Sequence, residues 1–131
     1  LADDNYIRLP EATASNGGMH IRVIFGIAAL DAVRVGFVTT KIQGAAFAVG
    51  DTNEGNSPTD VAIAVADNGD DILRLEFDLD TAARAGATGG TVLDFFYFGE
   101  ANKVMYSGRL ISEIDDPTLA NHFSTATILA A

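Results

Sequence analysis

At 131 residues the chain has the size of one domain able to bury its own core, and its 18 acidic against 8 basic residues give a net charge of −10. That balance opposes phosphate backbones and anionic lipid, so nucleic acid and membrane are poor partners, and the lack of cysteine removes disulfides, thiolate nucleophiles and cysteine-held metal centres. With 48% hydrophobic residues the chain is too apolar for a disordered acidic polymer, and no apolar run approaches the ~20 residues of a membrane helix.

Taken in chain order, residues 19–25 alternate, with Met19, Ile21, Val23 and Phe25 on one face and His20 and Arg22 on the other, which reads as a half-buried strand. Residues 33–38 repeat the pattern, with Val33, Val35 and Phe37 inward and Arg34 outward. The linker between them, 26–31, is short enough for the two strands to be neighbours. Residues 44–49 are small and apolar and suit a short strand, followed by a polar surface loop at 50–58. In 61–65, Val61, Ile63 and Val65 take one face and Ala62 and Ala64 the other, which points to close packing on the alanine side.

Residues 72–79 form the clearest strand, with Leu73, Leu75, Phe77 and Leu79 facing a core while Arg74, Glu76 and Asp78 face water. Between these last two strands lies Asp67-Asn68-Gly69-Asp70-Asp71, and Asn-Gly flanked by alternating segments predicts a type I′ hairpin. The glycine-rich stretch 81–90 is a connection with room for one helical turn. Residues 91–98 carry aromatics on both faces, as a central strand or one at a subunit interface would, and a turn at 99–102 makes a second hairpin with 103–111. After Asp115-Asp116-Pro117 the tail reads as an extended arm in preference to a short helix over 118–123. The expected fold is therefore all-β, an antiparallel β-sandwich or small β-barrel in one domain, 1–131, with 1–9 and 124–131 as assembly arms.

Reactive constellations are sparse. His20 and His122 have no metal-ligand spacing with each other or with a carboxylate, and they read as a residue on a polar strand face and a tail residue. Ser107 or Ser124 could join them only without a nucleophile elbow. Asp67, Asp70 and Asp71 lack the twelve-residue calcium pattern and suit a solvated turn, and Glu76 and Asp78 suit cross-strand ion pairs better than glycoside hydrolysis. The glycines of 85–91 precede no Gly-Lys-Ser or Gly-Lys-Thr and form no phosphate loop. No catalytic, cofactor or metal residue is assigned, and the chain reads as a non-enzyme.

Two stretches carry a resemblance. Tyr6-Ile7-Arg8-Leu9-Pro10-Glu11-Ala12-Thr13-Ala14-Ser15-Asn16-Gly17-Gly18 resembles the entry to β-rich surface domains of tailed-bacteriophage virions. Gly90-Thr91-Val92-Leu93-Asp94-Phe95-Phe96-Tyr97-Phe98, followed by Val104-Met105-Tyr106-Ser107-Gly108-Arg109-Leu110, resembles the closing hairpin of such domains, with Tyr106 where Trp is frequent. The resemblance implies a head decoration (cement) protein or a fibre-like module. It would be located on the virion, have the major capsid protein or another virion protein as partner, and form a homo-oligomer, a trimer in the decoration reading. The expected interface residues are Phe95, Phe96, Tyr97, Phe98, Tyr106, Ile128 and Leu129. The competing readings are an extracellular carbohydrate-binding or adhesion domain, in which Tyr97 or Tyr106 would stack on sugar, and a filament subunit that donates its apolar tail as a strand.

Overall fold

The computed structural model describes residues 4–26, 32–50, 61–79, 81–114 and 116–128. Its strands are β1 (Asp4–Arg8), β2 (His20–Ile24), β3 (Ala32–Gly36), β4 (Lys41–Gly50), β5 (Val61–Ala66), β6 (Arg74–Asp78), β7 (Val92–Phe96), β8 (Lys103–Ser112) and β9 (Phe123–Ser124). They form a four-stranded sheet in the order β1-β3-β6-β9 and a five-stranded sheet in the order β2-β7-β8-β4-β5. The two sheets pack face to face, so the expected β-sandwich is the architecture and the barrel alternative is not. Its sheets are mixed and not wholly antiparallel as expected, because β1 runs parallel to β3 and β4 parallel to β8. The single turn of helix in the glycine-rich connection is a 3-10 turn at Ala82–Arg84.

Period-two burial builds the core. Val33 and Val35 of β3 and Leu75 and Phe77 of β6 face Leu93 and Phe95 of β7 and Val104, Tyr106 and Leu110 of β8, all buried in one cluster. Phe25 and Phe37 close onto it with edge-to-face contacts to Phe77 and Phe95. The hairpin expected from the aromatic segment forms, with β7 and β8 antiparallel and Phe95 opposite Tyr106.

Which strands are neighbours differs from the sequence reading in two places. β2 and β3 do not pair: β2 lies against β7 in one sheet, and β3 lies between β1 and β6 in the other. Nor do β5 and β6 form a hairpin, since β5 pairs with β4 and β6 with β3 and β9. The Asn-Gly segment turns the chain, but neither Asn68 nor Gly69 has the positive φ of a type I′ turn. The Asp67 carboxylate accepts the Gly69 N–H at 2.9 Å, the Asp70 carboxylate accepts the Asp67 N–H at 2.8 Å, and the Asp67 carbonyl accepts the Asp70 N–H at 3.2 Å. These local bonds hold a right-handed turn that carries the chain from one sheet to the other.

A third difference concerns His122, which is wholly buried although it reads as a tail residue. It packs edge-on to Phe77 and Phe123, and its Nε2 lies 3.0 Å from the Tyr106 hydroxyl. Burial holds its pKa down, to about 3, against a raising contribution from its backbone bond with Glu76. Tyr106 reaches it by lying across Gly108, where an added Cβ would overlap the Tyr106 hydroxyl. Gly108→Ala must therefore displace the ring from His122, and we expect a loss of about 2–3 kcal/mol in denaturant unfolding from overpacking and an unmade buried hydrogen bond.

Candidate functional site

The outer face of the five-stranded sheet is the most distinctive surface. In β5 the alanines point inward: Ala62 and Ala66 are buried and Ala64 packs against the core. The neighbouring strand does the same with Ala46 and Ala48. Small side chains on two adjacent strands fill the space between the sheets, in keeping with the close packing expected on the alanine side. The period-two consequence is that the large residues face out. Val61 is 46% exposed, Ile63 71%, Val65 67% and Phe47 44%.

Strand register turns these residues into a continuous surface. Ile63 lies opposite Phe47, Phe47 beside Arg109, Arg109 opposite Val92 and Val92 opposite Ile24. One row over, Val65 is followed by Ala45, Ser107, Asp94 and Arg22. On the other side Val61 meets Val49 and Ile111. A shallow groove of about 260 Å³, lined by Ala45, Ala46, Phe47, Val61, Ile63, Ser107 and Gly108, runs through the apolar half. On its β8 side the outward residue is the small Ser107, while Phe47 and Ile63 are the large exposed side chains beside it. Contiguous exposed apolar surface of this kind is what protein contact sites present.

The far side of the same face is polar. Asp94 accepts from Arg22 Nε at 2.7 Å and lies 2.7 Å from His20 Nε2, and His20 stacks on Phe96 with centroids 4.5 Å apart. The hydrogen bond from Arg22 holds the Asp94 carboxyl below its usual pKa, the bond with His20 adding to the effect. Ser107 sits opposite Asp94 in the register. The order of a catalytic triad is nevertheless absent among the described residues: the aspartate stands between histidine and serine, and no bond joins Ser107 to His20.

The outer face of the four-stranded sheet holds the second cluster. Arg34, Arg74, Glu76 and Asp78, expected to face water, are covered. Glu76 is 7% exposed, with one carboxylate oxygen 2.7 Å from Arg34 and the other 2.5 Å from Arg74. Arg84 of the 3-10 turn bonds Asp78 at 3.1 Å and approaches Glu76 at 3.8 Å. The cover is the segment after Pro117, which bonds to Ala82 and Ala83 through Thr118, Leu119 and Asn121, pairs β9 with β6, and gives the Thr127 carbonyl to Arg74. A polar cleft of about 520 Å³ remains, lined by Arg74, Glu76, Arg84, Asn121, Phe123, Ser124 and Thr125. With guanidinium groups on both oxygens, Glu76 serves as the anchor of an ion network.

Of the expected interface residues, Phe95, Tyr97, Tyr106 and Ile128 lie in the interior. Tyr97 donates to the Pro10 carbonyl at 2.6 Å, and burial, with a smaller contribution from Glu11, pushes its pKa up to about 12. Neither Tyr97 nor Tyr106 offers a face for sugar stacking. Phe96 and Phe98 are exposed, and Leu129 lies outside the described residues. Of the expected arms, β1 and Leu9 belong to the four-stranded sheet and the core, and the described part of the tail is joined to the same sandwich, with the Ile128 N–H bonded to the Phe37 carbonyl. Phe47, Val61, Ile63 and Val65 were not among the interface residues expected from sequence, where Val61, Ile63 and Val65 were read only as the face opposite the alanine row.

Among the described residues no group of three His, Cys, Asp or Glu side chains is placed to hold a metal ion. Asp67 and Asp70 are engaged in their turn, and Asp71 pairs with Lys41 at 2.7 Å. Comparison of the chain with protein-family models, curated proteins and solved structures found no match.

Proposed function

We propose that this chain is a non-enzymatic assembly module that docks onto a larger protein surface through the apolar outer face of its five-stranded sheet. The observation that carries the reading is the outward row Val61, Ile63, Val65 with Phe47 beside it, on strands whose inward residues are alanine. A chain with net charge −10 keeps such a surface soluble before assembly and confines contact to the patch that carries little charge. The resemblance of residues 6–18 and of the closing hairpin to phage surface domains makes a tailed-phage head the docking surface, and the chain a capsid decoration protein with the major capsid protein beneath it.

The test is co-sedimentation of the purified chain with isolated heads of the phage that encodes it. Saturable binding is expected, weakened at least tenfold by Phe47→Ser or Val65→Lys, since burying an unpaired lysine or losing an aromatic anchor each costs more than about 1.4 kcal/mol. Binding unaffected by both substitutions, or no binding to heads, contradicts the proposal. The carbohydrate reading now rests on Phe96 and Phe98, and glycan binding lost in Phe98→Ala would favour it instead.

A further inference from the structure

We infer that β5 pairs edge to edge with β5 of a second copy of this chain, about a two-fold axis passing beside Ile63. The described sheets end in four edge strands, and three of them are protected in recognisable ways. β1 contains Asp4 and Arg8, β2 contains His20 and Arg22, and β9 is only Phe123 and Ser124. β5, Val-Ala-Ile-Ala-Val-Ala, has no charge, no proline and six residues of regular strand. Alternate residues of an edge strand turn N–H and C=O away from the sheet, and nothing in the β5 sequence discourages a second strand from taking them.

The identity of that strand is written in β5 itself. Val61-Ala62-Ile63-Ala64-Val65 reads the same in both directions. An antiparallel pair related by a two-fold axis matches each residue to its mirror position, so Val61 meets Val65 of the second copy, Ala62 meets Ala64, and Ile63 meets Ile63. Large side chains fall beside large ones on the outer face and alanines beside alanines on the inner face, with no change of side across the junction. The five-stranded sheets of the two copies become one sheet, and the two apolar patches, each with its Phe47, become a single stripe. The acidic charge of the chain, which repels copies approaching elsewhere, is absent from the pairing strand. Two-fold edge pairing consumes the edge it uses, so the assembly closes at two and the trimer expected from sequence is replaced by a dimer.

The chain has no cysteine, so a single introduced one reports the register. Purified chain should sediment at twice its 13.7 kDa mass at about 100 μM. Ile63→Cys should form a disulfide-linked dimer under mild oxidation, because directly opposed residues hold their Cβ atoms about 5 Å apart. Val65→Cys should not, because Val65 and its copy are offset by four residues, or about 13 Å. Ile63→Lys, at a position already 71% exposed, should be monomeric with an unchanged circular dichroism spectrum. Monomeric wild type, a ladder of larger species, equal cross-linking of the two cysteine variants, or a dimer that survives Ile63→Lys overturns the inference. No capsid or other partner is present in these measurements, so their outcome is separate from that of the docking test.

Discussion

Glu76→Gln is expected to destabilise the chain by about 3–5 kcal/mol, the largest effect of any single side-chain change considered. The substitution keeps the shape of residue 76 and removes its charge. Arg34 and Arg74, each largely buried, then lose the carboxylate that approaches their Nε atoms at 2.7 and 2.5 Å, and Asp78 is left as the counter-ion for Arg34 and Arg84. Breaking a buried pair from one side is costly because the remaining charge stays desolvated, whereas an exposed pair is worth a fraction of 1 kcal/mol. The comparison substitution is Asp94→Asn in the exposed cluster of the other sheet, for which a change under about 1 kcal/mol is expected. Chemical denaturation of the two variants at neutral pH separates the cases: equal, small losses would mean that the segment after Pro117 does not keep Glu76 and its arginines from water in solution.

Acidification is expected to weaken the fold through the buried imidazole of His122. His122 has a pKa of about 3 in the folded chain against an ordinary value of 6.5, so below pH 6.5 the unfolded chain takes up a proton that the folded chain refuses. Stability is at its full value above pH 6.5 and falls by about 1.4 kcal/mol per pH unit as the pH drops toward 3, which amounts to about 2–3 kcal/mol by pH 4.5. Glu11 contributes separately and lower. Burial would raise its pKa, but N–H bonds from Val38, Thr39 and Thr40 at 2.7–3.0 Å win and bring it to about 2. Its contribution is present above pH 4.5 and disappears as the pH approaches 2. The share that belongs to His122 is read by comparison with a variant that lacks the imidazole. The double variant Tyr106→Phe/His122→Phe, which removes both polar partners together, should show a slope smaller by that amount, and the same slope in both proteins would mean that His122 is solvated.

Much of the sandwich was legible because period-two burial is a local property. Val33, Val35, Leu75 and Phe77 alternate with polar residues in sequence and lie in the core in the structure. Strand partnership was not legible in the same way, since a turn signal says that the chain reverses and is silent about which sheet it enters. Asp67 to Asp70 supplied side-chain acceptors that Asn-Gly alone does not reveal, and those acceptors select a turn that crosses between sheets. Glu76 was placed on the correct, outward face of its strand, but a face is wet only if nothing lies on it. The residues that cover it, 118–128, come from more than forty positions away. His122 was missed for the same reason in reverse, because its aromatic surroundings assemble from β6, β8 and β9.

The docking face was half visible. The sequence displays an alanine row and a large row in β5, and close packing on the alanine side follows from it. The outward destination of the large row becomes clear only when β4 contributes a second inward alanine row beside the first. Aromatic density drew attention instead to β7 and the two residues after it, where Phe95 and Tyr97 turn out to build the core while Phe96 and Phe98 remain outside.

Amide hydrogen exchange of the chain, free and bound to phage heads, tests the docking face most directly. The expected result is new protection concentrated in β4 and β5, around Phe47, Val61, Ile63 and Val65, with β1 and β3 unchanged. Protection confined to the four-stranded sheet, with β4 and β5 exchanging as in the free chain, would place the contact on the opposite side of the molecule and contradict the account.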